Sequence, residues 1–147
     1  MITQYDRDLN KALPGLDETG CAVLLPFWTA SRFNDLRVDR DLIIKRIKKW
    51  IKLEWVDGNG YYINRWGPIH RDLGVPVKYF GHVEPSEYMV PADDYFAYGY
   101  FKYGKLGHFM ALNRDLGTSY DPLGYSVFQR KGELQTLRLF KRANIGF

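Results

Sequence analysis

A single cysteine, Cys21, leaves no partner for an internal disulfide. The fold is therefore not stapled, and cystines do not set its compartment. The three histidines, His70, His82 and His108, stand apart from one another and from Cys21, without the short ligand spacings that a metal ion requires. No glycine loop has the spacing of a nucleotide cradle; Asp57-Gly58-Asn59-Gly60 reads as a turn. No apolar run approaches the roughly 18 residues of a membrane span. The N-terminal residues Met1 to Asp8 lack the basic region and apolar stretch of a signal peptide. These absences predict a cytoplasmic chain with no metal, cofactor or membrane span, although release by phage lysis or a dedicated secretion system leaves no trace at this level.

What is abundant is aromatic. Phe, Trp and Tyr make up 16% of the chain, with eleven Tyr, which favours strands and a large half-buried sheet face. The 147 residues are long enough to bury a core unaided and predict one domain over 1–147. The net charge of +4 is mild. It permits an anionic partner such as nucleic acid or a cell wall without demanding one.

Residues 1–20 read as a polar, irregular arm with a turn at Pro14-Gly15, and Asp17 or Thr19 is a candidate cap for the helix that follows. Cys21 to Phe33 is apolar on most sides and predicts a buried helix, kinked where Pro26 removes a hydrogen bond. The strongest helical pattern spans 39–55, with Ile43, Ile44, Ile47, Trp50 and Ile51 in a stripe. Lys45, Arg46, Lys48, Lys49 and Lys52 fall on its other side. A short extended piece is expected at Tyr61 to Ile63 and a short helix from Trp66 to Leu73. Strands follow at 77–83, 95–103, 106–112, 118–121, 125–130 and 134–140, with a loop at 84–94 long enough to cover a site. Helices first and strands second predict an α+β domain, with helices packed on an antiparallel sheet.

Within 104–124, a turn at Asn113 to Gly117 separates two strands, and the midpoint between His108 and Asp121 falls inside it. A hairpin then places His108 opposite Asp121, within one residue of register. A carboxylate beside an imidazole fixes its tautomer and leaves the other ring nitrogen for a nucleophile. A lone cysteine is by default a small buried apolar residue. Cys21, however, follows Thr19-Gly20 at the expected start of a buried helix, where free backbone N–H groups favour a thiolate. His70 and His82 have no evident carboxylate in register.

Gln4, then Gly20-Cys21-Ala22 opening a helix, then Gly107-His108-Phe109 on one strand and Tyr120-Asp121-Pro122 after the next resemble, in that order, the papain-like cysteine peptidases. Within them the chain looks most like the bacteriocin-processing (double-glycine leader) branch and its small relatives. The resemblance implies a papain-like fold and a thiol hydrolase acting on a peptide or amide bond. Cys21 would be the nucleophile, His108 the general base and acid, Asp121 the orienting group and Gln4 the oxyanion donor. The implied substrate is a peptide, a protein or a peptidoglycan cross-link. Two departures stand out: Ala22-Val23 replaces the usual glycine-containing sequence after the cysteine, and Pro26 interrupts the helix. The alternatives are a catalytically inactive binding module on the same scaffold and, through the basic helix at 45–52, nucleic-acid binding.

Overall fold

A computed structural model describes residues 2–88 and 94–143. Part of the loop proposed as a cover, residues 89–93, lies outside the described residues. The chain forms helices α1 (Arg7–Ala12), α2 (Leu16–Thr19), α3 (Cys21–Asn34), α4 (Arg40–Lys52) and α5 (Trp66–Asp72). Strands β1 (Val77–Val83), β2 (Tyr95–Tyr103), β3 (Leu106–Leu112) and β4 (Thr118–Tyr120) follow, then helix α6 (Val127–Lys131) and strand β5 (Glu133–Arg142). The five strands form one antiparallel sheet in the order β1-β5-β2-β3-β4. This is the expected α+β arrangement. Among the described residues, no helix is long and apolar enough to cross a membrane.

The first twenty residues are not an irregular arm. Leu9, Leu13 and Leu16 are buried, at a spacing that keeps them on one helical face. Asp6 caps α1 by accepting from the Leu9 N–H at 3.0 Å. Pro14-Gly15 interrupts the helical run without ending it. Gly15 takes a left-handed φ of 86°, and α2 restarts at once. The expected side-chain cap on α3 is also absent: Gly20 occupies that position, and the Thr19 hydroxyl donates to the Gly15 carbonyl.

Helix α3 is buried along most of its length, with Val23, Leu24, Leu25 and Phe27 fully enclosed. Pro26 sits beyond its first turn, inside a helix that runs unbroken to Asn34. Helix α4 is shorter than expected. Asp39 caps it, Ile43, Ile47 and Trp50 are buried, and Trp55 packs beyond its end. Part of its basic side is neutralised: Asp72 accepts from Arg46 (2.9 Å), Lys49 (2.7 Å) and the Trp50 indole (2.9 Å). Burial would raise the Asp72 carboxyl, but these bonds outweigh it and hold it below its ordinary value.

His70 is fully buried among Phe96, Tyr98 and Phe140. The Trp66 carbonyl, 2.7 Å from Nδ1, can only accept, so Nδ1 carries the proton. Nε2 must then accept from the Tyr98 hydroxyl (2.7 Å), and Tyr98 in turn accepts from Thr29 (2.6 Å). Burial lowers the His70 pKa to about 4, so the ring is neutral around neutral pH.

The segment 125–130, expected as a strand, forms α6 instead. The following strand finds its partners at long range, between β1 and β2, rather than in a local hairpin. The Tyr61 to Ile63 piece is reduced to one bridge, Val56 to Ile63.

Candidate active site

Strand β4 pairs with β3 only at Ala111 and Leu112, so the Leu106–Phe109 half of β3 is an uncovered edge. At this edge His108 meets the start of α3 and the turn after β4. The expected register is wrong in detail. Ala111 lies opposite Tyr120, and an irregularity separates that pair from Leu112 and Thr118. Continued pairing would set Asp121 near Met110, not opposite His108. The strand instead ends at Tyr120, and Asp121 reaches the ring from the turn, where Pro122 halts further pairing.

The contact itself is short. His108 Nε2 lies 2.6 Å from Asp121 Oδ1, with both side chains buried. The ring packs on Phe128 of α6, 5.0 Å between centroids. The Cys21 side chain lies close enough to the same ring to help raise its pKa. Burial alone would lower the His108 pKa, but Asp121 and then Cys21 outweigh it and raise it to about 9. Nε2 is engaged by Asp121, which leaves Nδ1 for the thiol side.

Asp121 is itself held in place. Oδ1 also accepts from the Leu123 N–H at 2.9 Å, while Oδ2 accepts from the Ser126 hydroxyl (2.6 Å) and the Gln129 amide (3.0 Å). Burial would raise this carboxyl; the bonds from His108, Ser126, Gln129 and Leu123 overcome that and lower it to about 2. Ser126 and Gln129 escaped the sequence reading, although Ser-x-x-Gln is a signature of a helix start. Here both side chains turn away from the helix to Asp121.

Gln4 comes to the junction just ahead of Cys21. It is buried, and its Nε2 donates to the carbonyls of Leu16 (3.1 Å) and Asp17 (2.9 Å). Its Oε1 is buried without a hydrogen-bond partner among the described residues. Asp17 O is the acceptor that the Cys21 N–H would use if α2 ran on into α3. Gln4 takes that carbonyl, and Cys21 becomes the first residue of a new helix, where an N–H has no intrahelical partner. An oxyanion role for the Gln4 amide requires Nε2 to leave one of those carbonyls. The backbone of Gln4 also ties the arm to the far side of the site, its N–H donating to Pro122 O at 2.6 Å.

Two glycines are needed for close approach. A Cβ on Gly20 would lie 2.6 Å from the Leu16 carbonyl oxygen, so only glycine allows α2 to end and α3 to begin across one residue. A Cβ on Gly107 would fall 1.9 Å from the Tyr100 hydroxyl, which lies over the backbone beside His108.

Cys21 opens onto a cleft of about 290 Å³ whose walls include Tyr61, Trp66, Tyr100, Gly107, Phe109 and Arg138. A larger cleft of about 640 Å³, near Trp28 and Arg142, touches neither Cys21 nor His108. Among the described residues, no group of three or more His, Cys, Asp or Glu is placed to hold a metal ion. Comparison with protein families, with curated proteins and with solved structures finds no match.

Proposed function

We propose that the chain is a papain-like thiol hydrolase that cleaves a peptide or amide bond. The observation that carries this reading is the buried His108 ring, held by a carboxylate on Nε2 and acted on by a thiol that opens onto a cleft. The three groups come from separate elements, and their order in the chain is that of the papain-like peptidases. A strand histidine satisfied only for structural reasons needs no cysteine beside it.

With the thiol proton transferred to His108 Nδ1, the Cys21 sulfur attacks the carbonyl carbon and forms the S–C bond, and the carbonyl π electrons move onto oxygen. The Cys21 backbone N–H, at the start of α3, is a donor for that oxygen. On collapse, the C–N bond breaks and the leaving amine takes a proton from His108 Nδ1. Water then adds to the thioester and gives a proton to Nδ1. The second collapse breaks the S–C bond and releases the acid. Asp121 keeps Nδ1 aimed at the sulfur throughout and stabilises the imidazolium. The chemistry requires no cofactor.

Iodoacetamide at neutral pH tests this. Cys21 is expected to alkylate about tenfold or more faster than a free thiol, because an imidazolium neighbour stabilises the reactive thiolate. His108→Ala should remove that advantage in a folded protein. A Cys21 that reacts no faster than a free thiol, or only on unfolding, overturns the reading.

A further inference from the structure

Arg138, on β5, lines the Cys21 cleft and is the cation among the described residues that do so. Its guanidinium is poorly matched by the protein. Nε and Nη1 are buried without a hydrogen-bond partner, and Arg138 forms no ion pair with a described carboxylate. What it has is the ring of Phe109, 5.7 Å from the guanidinium carbon, and an interaction with the Tyr79 hydroxyl. Its cross-strand neighbours are His82 and Tyr98. Glu18, exposed on the cleft wall, does not pair with it. The side chain as a whole is only half-buried, and buried donors of this kind are normally matched by a partner. The remaining walls are aromatic and offer no competing carboxylate beyond Glu18.

Arg138 also lies near the reacting residues. Phe109, directly after His108, faces Tyr100, and β5 lies on the other side of β2. Arg138 is level with Ala111, two strand spacings across and three residues along from His108, roughly 14 Å between backbones. Its side chain reaches back over the Phe109 ring, which brings the guanidinium within the span of about three extended residues of the site.

We propose that Arg138 is the specificity residue of this cleft and reads a carboxylate carried by the substrate within about three residues of the bond attacked by Cys21. The preferred substrates are then acidic peptides or amides, with an acidic side chain or a free α-carboxylate near the scissile bond. The two unmatched N–H groups are closed to solvent at rest; a carboxylate in the cleft would draw the planar guanidinium round to it, a fork suited to bidentate recognition. This inference rests on the thiol-hydrolase reading and names its substrate class.

Two matched alkylating probes test it, chloroacetyl-glutamate amide and chloroacetyl-glutamine amide. In both, the Cys21 sulfur displaces chloride and only the side-chain charge differs. In the wild-type chain the glutamate probe should react about tenfold faster, the scale of one charge-assisted hydrogen bond. Arg138→Met should abolish the preference. As a check on the unsubstituted chain, N-acetyl-glutamate amide should protect Cys21 from iodoacetamide, and N-acetyl-glutamine amide should not. That result decides the matter even where Arg138→Met does not fold. Fast iodoacetamide labelling with equal rates for the two probes and no protection overturns the role of Arg138 and leaves the thiol site standing. Slow iodoacetamide labelling overturns both.

Discussion

His108 is the residue on which the site turns, because its charge state depends on two neighbours at once. Asp121 and Cys21 raise it from 6.5 to about 9 against the pull of burial. Asp121→Asn removes the carboxylate and should lower the His108 midpoint toward or below its ordinary value. Cys21→Ala should lower it by less. Both are read directly by following the three imidazole signals in an NMR titration. A wild-type midpoint that stays near 6.5 would show that the buried pair does not form in solution. The linkage has a definite sign. A raised histidine stabilises the fold below pH 6.5, and that contribution fades as the pH rises through about 9. Asp121, lowered to about 2, is ionised at every pH where the titration is practical.

Among the elements, the junction of α2 and α3 matters most, since it sets where Cys21 sits. Gly20 allows the two helices to meet over one residue, and Gln4 removes the carbonyl that would draw them into one. Gly20→Ala forces its Cβ against the Leu16 carbonyl. It should cost roughly 1–3 kcal/mol of stability, the range for overpacking. It should also slow Cys21 alkylation in whatever fraction remains folded. Chemical denaturation and alkylation under native conditions separate the two effects; an Ala variant equal to wild type in both would mean that the junction is not tight. The basic helix and most strands were legible at this scale, because Ile43, Ile47 and Trp50 repeat with a helical period and the 95–103 and 106–112 segments are rich in aromatic and apolar residues. Helix α1 was legible too, through Leu9, Leu13 and Leu16, but Pro14-Gly15 drew the reading toward a turn. Helix α6 was not. Val127 and Phe128 suit a strand, and what sets the segment as a helix is tertiary: Ser126 and Gln129 reach back to Asp121, and Phe128 packs on His108.

Across the whole molecule, the layer of helices is joined to the sheet through a polar line in an aromatic core, from Thr29 through Tyr98 and His70 to the Trp66 carbonyl. It is satisfied only while His70 is neutral. The folded pKa of about 4 lies below the ordinary 6.5, so the unfolded chain binds the proton first. Stability is complete above pH 6.5 and falls as the pH drops toward 4, by about 3 kcal/mol if the full shift is realised. Urea denaturation across that range should show the slope, and His70→Phe should flatten it. An unchanged slope in the variant would place the acid sensitivity elsewhere.

The sequence by itself determined the class of the fold, because apolar periodicity near 3.6 in the first half and near 2 in the second leaves helices on an antiparallel sheet as the simple packing. It also marked Cys21, His108 and Asp121 as the residues to watch, from residue type, chain order and the turn between the last two. Only the tertiary structure decided how they meet. The register between β3 and β4 depends on an irregularity that the pattern does not encode, so Asp121 bonds His108 from a turn rather than across a ladder. The buried burden on Gln4, the neutral state of His70 and the unmatched guanidinium of Arg138 were beyond the sequence for the same reason. Each depends on which distant groups close around the side chain, and burial and hydrogen bonding are properties of that enclosure.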